Sequence, residues 1–370
     1  MVIAPDKFKG SLGAAAVAAS LAAGVREIVP DAECVVIPMA DGGDGTVEAF
    51  LDGGATARTL VVSGPLGRPT EATYARHGTT AIIEMAAASG LALLGEGLDA
   101  RRAITRGTGE LLLDALDGGA ARIVLGIGGS ATTDGGAGAL AALGARFLDA
   151  GGAELAPLPE ALARLDRIAL DGLDARLRTL DLAIACDVDN PLLGPHGAAA
   201  VYGPQKGASA GDVAFLDAVL ARLADAMTAA SGRDLRELPG AGAAGGLGWA
   251  LASACGARLE RGVTLVGEVR GLAAALRGAT WCFTGEGRID EQTLRGKVVD
   301  GVAGLARAAH VPVVAFGGSV ELAVEAELRA RGVHCVPIVP GPCSLREAMD
   351  GADANLRAAA ARVTAFLSSP

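Results

Sequence analysis

The sequence predicts an α/β protein: a Rossmann-like domain interrupted by a second, inserted α/β domain, with a cleft between the two. Three observations predict it. Continuous apolar runs alternate with helical segments near both ends of the chain, the pattern of a parallel sheet covered on both faces. Between about residues 59 and 84 that pattern gives way to short strands joined by tight turns, which make antiparallel pairs. The length, 370 residues, exceeds what one ordinary core carries.

The elements follow in order. Val2–Ala4 reads as a short buried strand and Leu12–Val29 as an Ala-rich helix that Ser11 is placed to cap. Cys34–Ala40 is a continuous apolar strand, followed by a glycine loop and a helix from about Thr46. Thr59–Val62, Thr70–Arg76 and Thr80–Glu84 read as strands because Gly-Pro and His-Gly turns separate them. The α/β alternation then resumes: a helix over Glu110–Leu116, a strand over Arg122–Leu125, a helix over Ala137–Leu143 and a strand over Leu182–Ala185. Helices over Val213–Ala230 and Leu247–Cys255 come next. From Trp281 a strand runs to Thr284, followed by a helix over Val298–Ala309, a strand over Val311–Phe316, a helix over Glu321–Arg331, a strand over Cys335–Val339 and a last helix to Leu367. The return of the opening pattern assigns 1–63 and 279–370 to the Rossmann-like domain and 64–278 to the insert; a linear division near the middle is the alternative.

Composition excludes several classes. Lys+Arg total 32 against 42 Asp+Glu, a net charge of -10, and an acidic surface repels phosphate backbones, so no nucleic-acid partner is expected. A hydrophobic fraction of 51% is too high for a disordered chain. Charged residues or glycines break each apolar stretch before the ~20 residues of a membrane span. Asp6, Lys7 and Lys9 stand where a secretory leader would be apolar, so a cytoplasmic protein is expected. The six cysteines lie apart without C-x-x-C spacing and read as reduced thiols, and the four scattered histidines argue against structural zinc. Of the 32 basic residues only Lys7, Lys9, Lys206 and Lys297 are lysine. All four lie in glycine-flanked loops, where a compact charge on a flexible stem is useful.

Five loops carry candidate chemistry. The first, Ala4 to Ser11, follows a strand and opens a helix; Lys7, Lys9, Ser11 and the helix N-terminus suit an anion, and an ordinary turn with solvated lysines is the alternative. The second, Met39 to Thr46, sets Asp41 and Asp44 among three glycines, suited to a cation or to capping the following helix. The third, Gly126 to Gly138, is a strand–loop–helix whose Gly128, Gly129, Ser130, Thr132 and Thr133 offer donors to phosphates. It also contains G-x-G-x-x-A at Gly126, Gly128 and Ala131 with Asp149 beyond, formally a dinucleotide fingerprint. Asp134 in the same loop opposes a bare pyrophosphate and favours a metal-nucleotide. The fourth runs from Cys186 to Ala208, with Asp187, Asp189 and Asn190 beyond a strand end and Lys206 further on; carboxylates there act as general base or metal ligands, or are exposed loop charges. The fifth, Thr284 to Lys297, groups Glu286, Arg288, Asp290 and Lys297 for a phosphate and its metal, or as helix-start charges. There is no Walker A loop and no G-x-S-x-G elbow. Phosphoryl transfer asks for these parts together: cations and dipoles on phosphates, Mg²⁺ held by carboxylates, and a base for the acceptor hydroxyl.

Seven stretches, in order, resemble the type I glycerate kinases: APDKFKGSL at 4–12, PMADGGDGT at 38–46, GIGGSATTDGGAG at 126–138, DVDNPLLGPHGA at 187–198, YGPQKGA at 202–208, GAAGGLG at 242–248 and TGEGRID at 284–290. They span nearly the whole chain. The resemblance implies an ATP- and Mg²⁺-dependent kinase that phosphorylates D-glycerate at the 2-hydroxyl to give 2-phospho-D-glycerate and ADP, on two α/β domains. Carried onto this chain, it implies Asp189 as the base, with Asp187 next in line. Lys7, Lys9, Ser11 and Arg68 would bind substrate. Gly128, Gly129, Ser130, Thr132, Lys206, Glu286 and Lys297 would bind nucleotide phosphates, and Asp134, Asp290, Asp41 and Asp44 the Mg²⁺. Leu193 stands where the family pattern has cysteine, and Asp44 where it has glutamate. The implied partners are glycerate and a nucleotide, with a homodimer as a further option. The competing readings are an NAD-dependent oxidoreductase acting on a small hydroxy acid, and a non-catalytic sugar-acid sensor.

Overall fold

The computed structural model describes residues 1–369 and separates into two compact units. The first contains Met1–Asp41, Glu48–Gly54 and everything described from Arg261 onward; the second contains Gly42–Val47 and Ala55–Glu260. Among the described residues no helix is long and apolar enough to cross a membrane.

In the first unit five parallel strands lie in the order Val333–Pro337, Val313–Val320, Cys282–Ile289, Val2–Ile3, Val35–Val36. The short Val2–Ile3 strand pairs Val2 with Cys282 on one side and with Val35 on the other. On one face of the sheet, Ile3, Phe283, Val314 and Phe316 pack with Val17, Leu21 and Val25 of helix Ala14–Ile28 and with Leu356, Ala359 and Ala360 of helix Ala352–Leu367. The Phe283 and Phe316 rings meet edge to face with centroids 5.1 Å apart. The two helices touch closely where Gly24 lies, because a Cβ there would come within 2.2 Å of the Arg357 carbonyl oxygen. The apolar run at Cys34–Ala40 is shorter as a strand than expected, Val35–Val36 only, and both valines are about 40% exposed. They form the outer edge of the sheet, with no further strand beside them among the described residues, although Ile37 and Met39 still donate to the carbonyls of Ile3 and Pro5.

The second unit is built on six strands in the order Arg258–Glu260, Asp181–Ala185, Arg122–Gly126, Thr80–Glu84, Pro69–His77, Thr56–Ser63. The first four run parallel and the last two antiparallel. Ile83, Leu125 and Ile184 of the parallel strands share one core with Leu111 and Leu112 of helix Arg106–Asp117 and with Trp249 of helix Leu247–Cys255. The long helix Ala210–Ser231 starts at a reciprocal Ser209–Asp212 capping box. Thr56–Ser63, expected in the outer domain, pairs along its whole length with Pro69–His77, so the hairpin draws it into the second unit. Conversely, Arg261–Gly278, expected in the insert, carries helices Gly262–Val269 and Leu272–Leu276 into the first.

Candidate active site

The first unit places its polar loops where its topology requires. From Val2–Ile3 the chain moves outward to Val35–Val36, and from Cys282–Ile289 it moves the opposite way to Val313–Val320. The carboxyl ends of these two central neighbours therefore flank the switch point, where open parallel sheets leave a crevice for ligands. The loops after both strands are stitched together there. Thr284 Oγ1 donates to the Ala4 carbonyl at 2.8 Å, and the Asp6 N–H donates to the Gly285 carbonyl at 2.8 Å. Gly287 lies against the backbone of Phe8 and Lys9.

Two carboxyls in this crevice are held far from their ordinary behaviour. Burial, the charge of Asp41 and that of Glu286 push Asp6 up to about 7, against the Lys7 N–H that donates to it at 2.7 Å. Burial likewise pushes Glu286, 5% exposed, up to about 7, although Thr293 donates to it at 2.5 Å and Lys297 lies within charge range. Thr293 also accepts from the Asp290 N–H at 3.0 Å, and the exposed Arg288 pairs with Asp290 and Glu321. The structure thus brings together Lys7, Asp41, Glu286, Asp290 and Lys297 of the expected site, and adds Asp6. Sequence reading missed Asp6, because only pairing with a strand some 280 residues away reveals its neighbours; its place just beyond a strand end was the available signal. Lys9 is exposed beside this loop. Ser11 departs from expectation. The helix begins at Ala14 with Gly13 at its N-cap, so Ser11 does not cap it. Its hydroxyl donates to the Met349 carbonyl at 2.7 Å, beside a cavity of about 600 Å³ lined by Gly10, Ser11, Leu12, Leu345 and Met349.

In the second unit the carboxyl ends of Thr80–Glu84, Arg122–Gly126 and Asp181–Ala185 lie along one sheet edge, since the three strands are parallel and in register. That edge receives the Gly126–Gly138 loop and, from the adjacent strand, the exposed Asp187 and Asp189. The antiparallel pairing of Pro69–His77 brings the turn holding exposed Arg68 to the same edge. The Gly42–Val47 loop rests there too. A Cβ on Gly126 would come within 2.2 Å of the Gly42 carbonyl oxygen, and Glu84 accepts from the Val47 N–H at 2.7 Å. Asp44 is exposed on this loop. Asn190 donates to the His196 carbonyl at 2.9 Å and accepts from the Tyr202 hydroxyl at 2.6 Å, which fixes the turn just after Asp189.

Within the glycine loop the exposure is divided sharply. Gly128 and Gly129 are exposed, while Gly126, Ile127 and every residue from Ser130 to Gly138 are buried. This corrects four expectations. Asp134, expected at a metal, is wholly buried and accepts from Thr105 N and Oγ1 at 2.8 Å each, Gly136 N at 3.2 Å and Gly138 N at 3.0 Å. Burial raises its pKa and the four donors oppose the rise; its oxygens are spent holding the loop together. Ser130 and Thr132 turn their hydroxyls on each other at 3.1 Å inside the protein. Lys206 is 2% exposed and donates to the Thr132 carbonyl at 2.5 Å, so its ammonium points into the protein. Thr105, unnoticed in the sequence, is the second half of the Asp134 brace. The dinucleotide reading also loses its acid. After helix Ala137–Ala142 the chain enters strand Arg146–Leu148, which pairs with Arg167–Ala169 outside the main sheet. Asp149 there accepts from the N–H groups of Gly151 and Ala153 in its own turn, each at 2.9 Å.

The second unit sets an exposed two-glycine turn beside the exposed Asp187 and Asp189 of the neighbouring strand end, and the first gathers lysines and carboxyls at its switch point. Comparison with known proteins gives the family. The sequence model of the glycerate kinase family matches residues 1–368. A glycerate kinase of Bacillus subtilis (strain 168) is 46% identical over 360 residues, 95% of this chain and 93% of the relative. A glycerate 2-kinase of Escherichia coli (strain K12) is 44% identical over 372 residues, 99% and 97% of the two chains. The crystal structure of a glycerate kinase 2 from Salmonella typhimurium LT2 superposes with a TM-score of 0.90 at 44% identity, covering 99% of this chain and 97% of that one. The protein is an enzyme of the kinase class. It belongs to the glycerate kinase family.

Proposed function

We propose that the enzyme transfers the terminal phosphoryl group of ATP to the 2-hydroxyl of D-glycerate, giving 2-phospho-D-glycerate and ADP. The observation that carries this reading is the shared sheet edge of the second unit, where the exposed Gly128–Gly129 turn neighbours the strand end bearing Asp187 and Asp189. Glycine backbone at a strand–helix junction presents N–H groups to phosphate oxygens without a side chain in the way. A carboxylate beside it is placed to take the proton of an acceptor hydroxyl. Asp189 is assigned that task, with Asp187 next to it. Lys7, Lys9, Lys297 and Arg68 supply cations for the substrate carboxylate and the phosphates.

Among the described residues no group of three His, Cys, Asp or Glu side chains is arranged to hold a metal alone. Mg²⁺ arriving on a nucleotide needs only one or two carboxylates and takes its other ligands from phosphate and water. Asp41, Asp44 and Asp290 are the carboxylates we assign to it. Bound there, Mg²⁺ would neutralise charge on the phosphates.

The test is ADP formation by the purified protein with D-glycerate and ATP, with and without Mg²⁺, followed by phosphorus NMR of the product. Mg²⁺-dependent turnover with a 2-phosphoglycerate resonance is expected. A 3-phosphoglycerate resonance would overturn the regiochemistry, and ATP binding without turnover would redirect the search to other small hydroxy acids.

A further inference from the structure

We infer that Lys206 is a positioning residue that shapes the Gly128–Gly129 turn from inside the protein, gripping the Thr132 carbonyl while Gly245 closes on the same carbonyl from another direction. This rests on the reading of that turn as the phosphate-receiving element.

Three observations carry it. Lys206 is among the largest fully buried side chains, at 2% exposure, and its Nζ lies 2.5 Å from the Thr132 oxygen. A charged ammonium is costly to bury unless its partners hold it in place. The Gly242–Gly246 segment presses on the same stretch: a Cβ on Gly245 would fall 2.1 Å from the Thr132 oxygen and 2.6 Å from Thr133 Cα, and the Gly135 N–H donates to the Gly245 carbonyl at 2.9 Å. That segment is itself forced into unusual backbone, with Ala244 at φ 51 and Gly245 at φ 67. Ala243 through Gly246 are also buried, so they face no ligand from solution. The loop's own polar groups complete the brace, since Asp134 ties Gly136 and Gly138 to Thr105, and its charge also acts on Lys206. The loop is therefore pinned on the C-terminal side of the exposed Gly128–Gly129 turn, and the Gly129 carbonyl itself accepts from the Leu91 N–H at 2.8 Å. A turn held this way receives phosphate without ordering itself on binding, which lowers the cost of association.

The reading differs from a direct phosphate contact in what a neutral donor can replace. Lys206→Met keeps length and apolar packing but leaves the Thr132 carbonyl without its donor. Lys206→Gln keeps an N–H donor and removes the charge. Lys206→Met is expected to raise KM for ATP at least tenfold, with KM for D-glycerate unchanged within twofold and faster hydrogen exchange confined to 126–138. Lys206→Gln is expected to recover most of the ATP affinity, and Gly245→Ala, which pushes the carbonyl from the other side, to reproduce the Lys206→Met defect. Equal loss of ATP affinity in Lys206→Gln and Lys206→Met would overturn the inference in favour of direct charge contact. An unchanged KM for ATP in Lys206→Met would also overturn it. Should Lys206→Met fail to fold, unaltered exchange over 126–138 in folded Lys206→Gln, together with tenfold weaker ATP binding, would refute it. Absence of ATP-dependent turnover in the wild-type protein is a separate result that removes the underlying functional reading.

Discussion

The two units organise their polar loops in opposite ways. The first gathers ionisable side chains at its switch point, and burial shifts Asp6 and Glu286 to about 7. The second offers bare backbone at Gly128–Gly129 and keeps its ionisable Asp134 and Lys206 out of sight behind it. One region is tuned through protons, and the other is set by geometry. Perturbations of charge and of shape should therefore separate along the boundary between the units.

The largest effect is expected where chemistry is assigned to a single side chain. Asp189→Asn should lower kcat by roughly 10²–10⁴ while the fold survives, because a positioned base contributes about that much and the residue is exposed. Wild-type turnover in this variant would remove Asp189 from the mechanism. A pair of glycine changes tests shape next. Gly126→Ala drives a Cβ to 2.2 Å from the Gly42 carbonyl and should cost about 1–3 kcal/mol of stability, as overpacking does, with weaker ATP binding. Gly128→Ala finds only Gly43 Cα at 3.4 Å; it should leave the melting temperature within a degree or two and still raise KM for ATP. Equal losses of stability in the two variants would break the distinction between brace and exposed turn.

A smaller effect concerns protons in the first unit. Glu286 lies at about 7 in the folded chain against 4.5 in its ordinary state. Because the folded form is raised, its stabilising contribution is complete below about pH 4.5 and is lost as pH rises through 7. Asp6 behaves in the same sense from 3.8. Glu286→Gln removes one of the two titrations, so wild-type stability should fall more steeply than the variant's between pH 5 and 8. Urea midpoints at these two values measure it, and parallel slopes would show that Glu286 titrates normally.

What could be read from the sequence was mostly backbone. Apolar runs and turn chemistry located the parallel strands, and the His-Gly turn located the antiparallel pair. The run at Cys34–Ala40 misled because an edge strand and a buried one share a composition, and only neighbours tell them apart. For the site, the sequence singled out the dense polar loops as carriers of chemistry but not which of their groups look outward. Ser130, Thr132, Asp134 and Lys206 have the residue types of a phosphate site, yet hydrogen bonds within the loop use the same donors and acceptors as a ligand would. Asp6 posed the reverse problem: an unremarkable aspartate that acquires its character from Asp41 and Glu286, distant in sequence.

The contact at Gly24 has a consequence for how the molecule is made. Helix Ala14–Ile28 leans on Ala352–Leu367 through Gly24 and Arg357, through an ion pair between Glu27 and Arg357, and through a hydrogen bond from Ser20 to Asp353. Helix Ala14–Ile28 is made well before Ala352–Leu367, and its apolar face waits for that partner. The second unit, complete by Glu260, has all its strands long before then. Translation therefore completes the second unit while the first is still unfinished, and Val17, Leu21 and Val25 stay without their Leu356, Ala359 and Ala360 partners during that interval.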